Sequence, residues 1–417
     1  MLKIALSSFI ICLLFCAQTM AQASKVDSSE MRTLRIDPSS ARGAAASQLF
    51  EEIKFIPLET TKESLFGSIS QLRMTDDSYV IFDYDTKAIL IFTREGKYKA
   101  KIGASKIEKD PDNKDNQDFY GFEIKTEDNQ SIIRLQSGKY YFNFDLDGKR
   151  ISKVLIDKKK VYDSPYKFSD GTVADRGYLD KKEKDSTYYE ISLVKDKKKI
   201  ESYFPYSVDR YKNDQFYTGG ESLINYGVPD EFFFLTAYEY NIYRLTSKKL
   251  SLAYRMIFPA NNSLPADFRS NPVYKGKRQA YFQANPKAIF AIGNPYQLGD
   301  NLYFKTNSWT WGQDERKAFI YNLKNNMLTS ISDIEPDSLS QFLPVTDAGV
   351  HYDFANNGFL HFDGTFFYTS YSSLLMFKFK EQNEGKSRVY DPLLSAYFKT
   401  QDKKSNPVII QLKPKKN

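Results

Sequence analysis

The chain has 417 residues, of which 41% are hydrophobic, 15% aromatic and 27% charged, with a formal net charge of +7. That composition supplies a sizeable packed core and excludes a disordered chain. The mild basic excess comes with no basic helix or Arg-rich stripe, which argues against a nucleic-acid partner.

From the N-terminus, Lys3, the apolar run Ile4 to Phe15 and the small-x-small site Ala21-Gln22-Ala23 read as a signal peptide over 1–23. The run is too short to span a bilayer permanently, and no later stretch approaches that length. Export to the periplasm or cell surface is therefore expected. A lipid anchor on Cys16 is the rival reading, weakened by the bulky Phe15 before it. Cys12 and Cys16 are the only cysteines, so the mature chain is expected to hold none. Residues 24–47 are Ser/Ala/Arg-rich and predict a flexible leader with at most one strand, around Thr33 to Ile36.

From residue 48 to 417 one domain is expected. Tyr79 to Asp83, Ile89 to Phe92 and Tyr98 to Ile102 are short apolar or alternating runs joined by polar turns, an antiparallel meander. The turn Arg94-Glu95-Gly96-Lys97 has counterparts at Leu146 to Lys149, Lys195 to Lys198, Thr246 to Lys249, Lys324 to Met327 and Asn383 to Lys386. Taken at Gly96, Gly148, Lys197, Lys248, Asn326 and Gly385, the steps are 52, 49, 51, 78 and 59 residues. The long step holds an insertion over 259–286. Earlier turns at Asp76-Asp77, Ser137-Gly138, Asp170-Gly171, Gly299-Asp300 and Asp363-Gly364 would open the second strands of five units; the fourth lacks a clear one. Six such units predict an all-β fold, a six-bladed β-propeller of mostly four-stranded antiparallel blades. Phe55-Ile56-Pro57-Leu58 and Pro407 to Leu412 would close the ring from the two chain ends. Short helices are expected from Ser263 within the insertion and over Asp391 to Lys399.

Phe55-Ile56-Pro57-Leu58-Glu59-Thr60-Thr61 with Ser64-Leu65-Phe66-Gly67, Ser263 to Phe268, and Asn406-Pro407-Val408-Ile409-Ile410 resemble the exported six-bladed β-propeller proteins of Gram-negative bacteria. The resemblance covers nearly the whole mature chain and implies export and a ring fold. It brings no activity. Many such proteins carry a GxGPGEY-like segment after the first blade, where this chain has Gly103-Ala104-Ser105-Lys106 and a charged loop.

The inventory of reactive residues is thin. With His351 and His361 the only histidines and no GxSxG, nucleophilic catalysis has little to work with. No metal site and no cofactor are expected; Asp145-Leu146-Asp147-Gly148 and Asp83-Tyr84-Asp85 lack the full ligand set of a calcium loop, and Asp-Gly favours a hairpin turn. The lysine runs at 158–160, 181–184 and 197–199 read as solvated turns and guarded edges. Trp309 and Trp311, flanked by Asn307 and Gln313 in a link between two strands, are the candidate ligand-binding residues, because aromatic faces beside amides suit sugar rings or peptide side chains. Their competing reading is packing between blades. The expectation is a monomeric, non-catalytic binding module whose end-face loops hold a glycan, peptide or envelope-protein partner. The alternatives are a glycan hydrolase or lyase with channel-mouth carboxylates and a structural accessory of an envelope transport complex.

Overall fold

The computed structural model describes residues 23–107, 119–127, 130–156, 166–176, 188–206, 223–310, 316–345, 361–386 and 388–416. Three strands precede the first blade: β1 (Arg32–Arg35), β2 (Arg42–Ala45) and β3 (Phe50–Pro57). Blade 1 follows as β4 (Gln71–Met74), β5 (Ser78–Asp83), β6 (Ala88–Thr93) and β7 (Tyr98–Gly103). Blade 2 is β8 (Glu123–Glu127), β9 (Gln130–Ser137), β10 (Tyr140–Phe144) and β11 (Arg150–Leu155).

Blade 3 holds β12 (Val173–Arg176), β13 (Tyr188–Lys195) and β14 (Lys198–Tyr206), with Lys167 bridging Val173 in place of a full first strand. Blade 4 is β15 (Leu223–Ile224), β16 (Phe232–Phe234), β17 (Asn241–Leu245) and β18 (Leu250–Ile257). Blade 5 is β19 (Ala291–Leu298), β20 (Asn301–Asn307), β21 (Ala318–Asn322) and β22 (Leu328–Glu335). In blade 6, β23 (His361–Phe362), β24 (Phe367–Tyr371) and β25 (Val408–Pro414) are completed by β3 from the other chain end. The six antiparallel sheets form the expected propeller, with the closure carried by the segments named for it.

The middle strands show why the blades must stack. In β5 every residue is buried, and in β6 all but the last. A strand shows the two-residue alternation only when one face meets water; here both faces are covered by neighbouring blades. Apolar clusters accordingly lie between blades. Val80, Phe82 and Ile91 meet Phe142 and Phe144 across blades 1 and 2. Ile191 and Leu193 meet Phe234 and Leu245 across blades 3 and 4. Others join blades 4 and 5, 5 and 6, and 6 and 1. On the side of blade 2 that faces blade 3, Asn143 accepts from Arg134 Nε at 3.0 Å and donates to Ser152 Oγ at 2.8 Å.

Four features differ from expectation. The segment 24–47 is a strap rather than a flexible leader with one strand. Ser24 N donates to Ser202 O, β1 pairs parallel with β18, β2 pairs parallel with β22, and Arg32 reaches Leu323 O at 2.5 Å. The strap thus tracks the last strands of blades 3, 4 and 5 before entering blade 6 as β3. Asn383 to Lys386 is no hairpin; it follows helix Ser373–Gln382, inserted between β24 and β25 together with helix Pro392–Thr400. Ser137-Gly138 joins the second strand of blade 2 to the third, since β8 and β9 pair upstream of it. Ser263 opens no helix. Its hydroxyl is turned back to the Phe258 and Pro259 carbonyls, and the helix of the insertion is Arg278–Ala284.

Candidate functional site in the loops of one end face

In an antiparallel blade the second hairpin of every sheet opens to the same end of the ring. That end carries the β5–β6 loop of blade 1, the β16–β17 loop of blade 4 and the β20–β21 loop of blade 5. The insertion between β18 and β19 packs onto the last two. Phe268 and Phe282 sit at its centre, with Tyr238 contributed by the β16–β17 loop. Arg278 is buried there: its guanidinium lies 4.9 Å from the rings of Tyr238 and Phe268 and donates to Phe268 O at 2.6 Å. Tyr240 ties the insertion down at both ends, accepting from Leu264 N and donating to Ile289 O, each at 2.7 Å. Burial pushes its phenol up to about 12.

Trp309 belongs to this assembly. It is half-buried, its ring is stacked with Phe282 at 6.0 Å, and its backbone N–H donates to Pro286 O at 3.0 Å. Asn307 ends β20, and its carbonyl accepts from Phe290 N at 2.8 Å. Trp311 and Gln313 lie outside the described residues, as does His351; His361 opens β23.

An ion cluster pins the insertion to blades 3 and 4. Arg269 is bonded to both Glu190 on β13 and Glu239 of the β16–β17 loop. Tyr243 donates to Glu239 at 3.0 Å. Burial alone would raise the Glu239 carboxyl, but the Arg269 charge, helped by Thr236 and Tyr243, holds it below its ordinary range. Two carboxylates are thus brought together, and both are bonded to one guanidinium. Asp175 on β12 differs: burial raises its carboxyl against the pull of Lys199. No group of three or more His, Cys, Asp or Glu is placed to hold a metal ion among the described residues. Asp145 takes the turn role, accepting from Asp147 N and Lys149 N with Gly148 at φ 70°.

The sequence reading missed a second aromatic group, on blades 1 and 2. The β5–β6 loop is wound by Asp83, which accepts from Thr86 Oγ1 at 2.6 Å, and by Tyr84 N donating to Ser70 Oγ at 3.1 Å. Phe82 contacts Phe119 in the core at 5.4 Å; two residues on, Tyr84 meets Tyr120 in solvent at 6.2 Å with planes 33° apart. Tyr84 is 51% exposed and Tyr120 68%. Lys87 Nζ lies 3.1 Å from the Tyr84 ring centroid and 4.9 Å from that of Tyr120. The signal available in the sequence was the spacing Phe82-x-Tyr84 at a strand end, which carries an aromatic face out of the core.

Residues 34–413 match the model of a domain of unknown function, DUF4934. The chain belongs to that family. No curated protein matches it in sequence. Among solved structures, a "putative exported protein" from Bacteroides fragilis superposes with a TM-score of 0.59 at 14% identity, over 92% of this DUF4934 chain and 100% of the other; that likeness is one of fold. A member of the DUF4221 family from Bacteroides vulgatus gives a TM-score of 0.42 at 12% identity, over 88% and 98%. A Staphylococcus aureus virginiamycin B lyase gives 0.29 at 12%, over 67% and 73%. Scores at that level carry no argument about this chain. Among the described residues no helix is long and apolar enough to cross a membrane.

Proposed function

We propose that this DUF4934 protein is an exported, non-catalytic binding module that holds a glycan on the end face built from the second hairpins and the insertion between blades 4 and 5. The observation that carries the reading is the Tyr84–Tyr120 pair. Two tyrosines left side by side in water at a loop end, with a cation against them, add little to the core, while aromatic faces of this kind stack on sugar rings. Trp309 and Asn307 stand on the same end, and Trp311 and Gln313 belong to the same loop. The Arg269–Glu190–Glu239 cluster supports recognition over hydrolysis, because both of its carboxylates are already bonded to the Arg269 guanidinium. Export is supported by the basic, apolar and small-residue pattern of residues 1–23.

The test is a glycan array probed with the mature chain from Ser24 and with two double variants, Tyr84→Ala with Tyr120→Ala, and Trp309→Ala with Trp311→Ala. Retention of a glycan class by the parent and its loss in the tyrosine double variant, with unchanged circular dichroism, is the expected result. A blank array, or retention indifferent to both double variants, overturns the reading.

A further inference from the structure

A separate feature lies at the outer rim, away from the loops just described. The strap does not lie flat on blade 5. Arg42 is opposite Thr329, but Ala44 is opposite Ile334, so two steps along β2 match five along β22. Gly43 permits the close approach this demands, since a Cβ there would sit 2.7 Å from Asp333 O. Arg316 fastens the strap by donating to Ala41 O at 2.7 Å while pairing with Asp333 at 2.6 Å. Where β2 lifts away, a cavity of about 360 Å³ opens between the strap, the early ends of β20 and β22, and the C-terminal Lys415. That volume lies in the range of small-molecule sites.

The lining is one-sided in charge. Arg42 and Lys415 contribute two cations, and among the described residues no acidic side chain lines the cavity. Among the described residues Arg42 has no ion-pair partner; Lys415 Nζ donates only to the Ser47 carbonyl, at 2.7 Å. The polar walls are amides already fixed in place. Asn322 Nδ2 donates to Asn301 Oδ1 at 3.0 Å, and Gln48 Oε1 accepts from Ala45 N at 2.8 Å, which leaves the Gln48 amide N–H groups available as donors. Tyr303 and Ile320 supply an apolar floor, both buried. A guanidinium, an ammonium and a free amide donor on residues lining one cavity, with an apolar floor, match a carboxylate borne on a compact body, since charge-assisted bonds from Arg to carboxylate are the strong ones.

From this we infer that the rim cavity under β2 binds a small carboxylate-bearing molecule, with Arg42 and Lys415 on the carboxylate and Tyr303 beneath its body. Such a carboxylate can belong to a sugar acid or to the end of a short peptide. Two ligand pairs separate the sources in calorimetric titrations of the mature chain: galacturonate against galactose, and N-acetylalanine against N-acetylalaninamide. One acid is expected to bind while its neutral partner does not, with affinity falling as salt rises. Arg42→Gln, at an exposed position, is expected to weaken that acid about tenfold or more while the melting temperature holds, and Lys415→Gln to weaken it in the same direction. Absence of binding by both acids, equal binding of an acid and its neutral partner, or full affinity in Arg42→Gln overturns the inference. Because the cavity is remote from Tyr84, Tyr120 and Trp309, their alanine variants leave acid binding unchanged, so this result and the glycan-array result fail independently.

Discussion

Ile409 lies directly opposite Ile56, so the last strand of the chain and the strand that precedes the first blade share one ladder, running from Val408 opposite Pro57 to Leu412 opposite Ile53. The ring is closed by this pairing, and both strands are therefore structural. Asn406 adds a polar fastening to it: its side chain donates to Glu59 O at 2.8 Å and to Ser64 O at 3.0 Å, and accepts from Phe66 N at 3.1 Å.

Phe55 stands opposite Ile410 in this ladder and is fully buried between blades 5 and 6. Truncating it removes packing on a surface that cannot collapse without opening the ring. Phe55→Ala is expected to cost about 3–5 kcal/mol, read as a lower midpoint in urea unfolding. A loss under about 1 kcal/mol would mean that the closure strand contributes little to the folded ring.

Two turn glycines have nearly the same backbone and different surroundings. Gly96 has φ 81° and an added Cβ would lie 2.3 Å from Pro57 O, because this turn touches the closing strand; Gly171 has φ 83° with nothing within 4 Å. Gly171→Ala pays only the left-handed strain, about 1–2 kcal/mol. Gly96→Ala pays that strain and must also push β3 away, so it is expected to cost clearly more. Equal losses in a denaturation series would show that the Gly96 contact is relieved at no cost.

The blades were legible in the sequence because they repeat short polar turns, at nearly constant spacing over the first four, and Gly96, Gly148, Lys197, Lys248 and Asn326 all sit in or beside the third-to-fourth-strand turn. The sixth repeat failed at Gly385 for a physical reason. Its third and fourth strands come from opposite chain ends, so the local signal there was a helix terminus with the same Gly at positive φ. The strap was illegible because Arg42-Gly43-Ala44-Ala45 has no apolar alternation; its place is set by pairing with β22, not by its own pattern. At the end face, Trp309 was found by its rarity, but its stacking on Phe282 depends on a contact about 27 residues distant in sequence, which periodicity does not reveal. The Tyr84–Tyr120 pair likewise needs two loops from successive blades.

Arg269 makes the insertion sensitive to acid. The folded Glu239 carboxyl titrates below its unfolded value of 4.5, so its contribution is fully present above that pH and is lost as pH falls through the lower folded value. The melting temperature is therefore expected to drop as pH is taken below about 4.5 and to drop less steeply in Arg269→Gln. At neutral pH that variant leaves Glu239 partly buried without its cation, a loss of about 3 kcal/mol or more in urea unfolding. An acid profile unchanged by Arg269→Gln would remove this pair from the account.

Trp309 and Tyr120 divide packing from recognition. Tyr120 is 68% exposed, whereas Trp309 is half-buried against Phe282 beside Phe290. Tyr120→Ala is expected to change stability by no more than about 0.5 kcal/mol, the range of surface substitutions. Trp309→Ala opens the aromatic cluster of the insertion and is expected to cost about 2–3 kcal/mol, below the value for a fully buried ring because part of its surface already meets water. Chemical denaturation of the two single variants measures both. A Tyr120 loss as large as that of Trp309 would make the Tyr84–Tyr120 pair a packing feature and withdraw its support for a ligand platform.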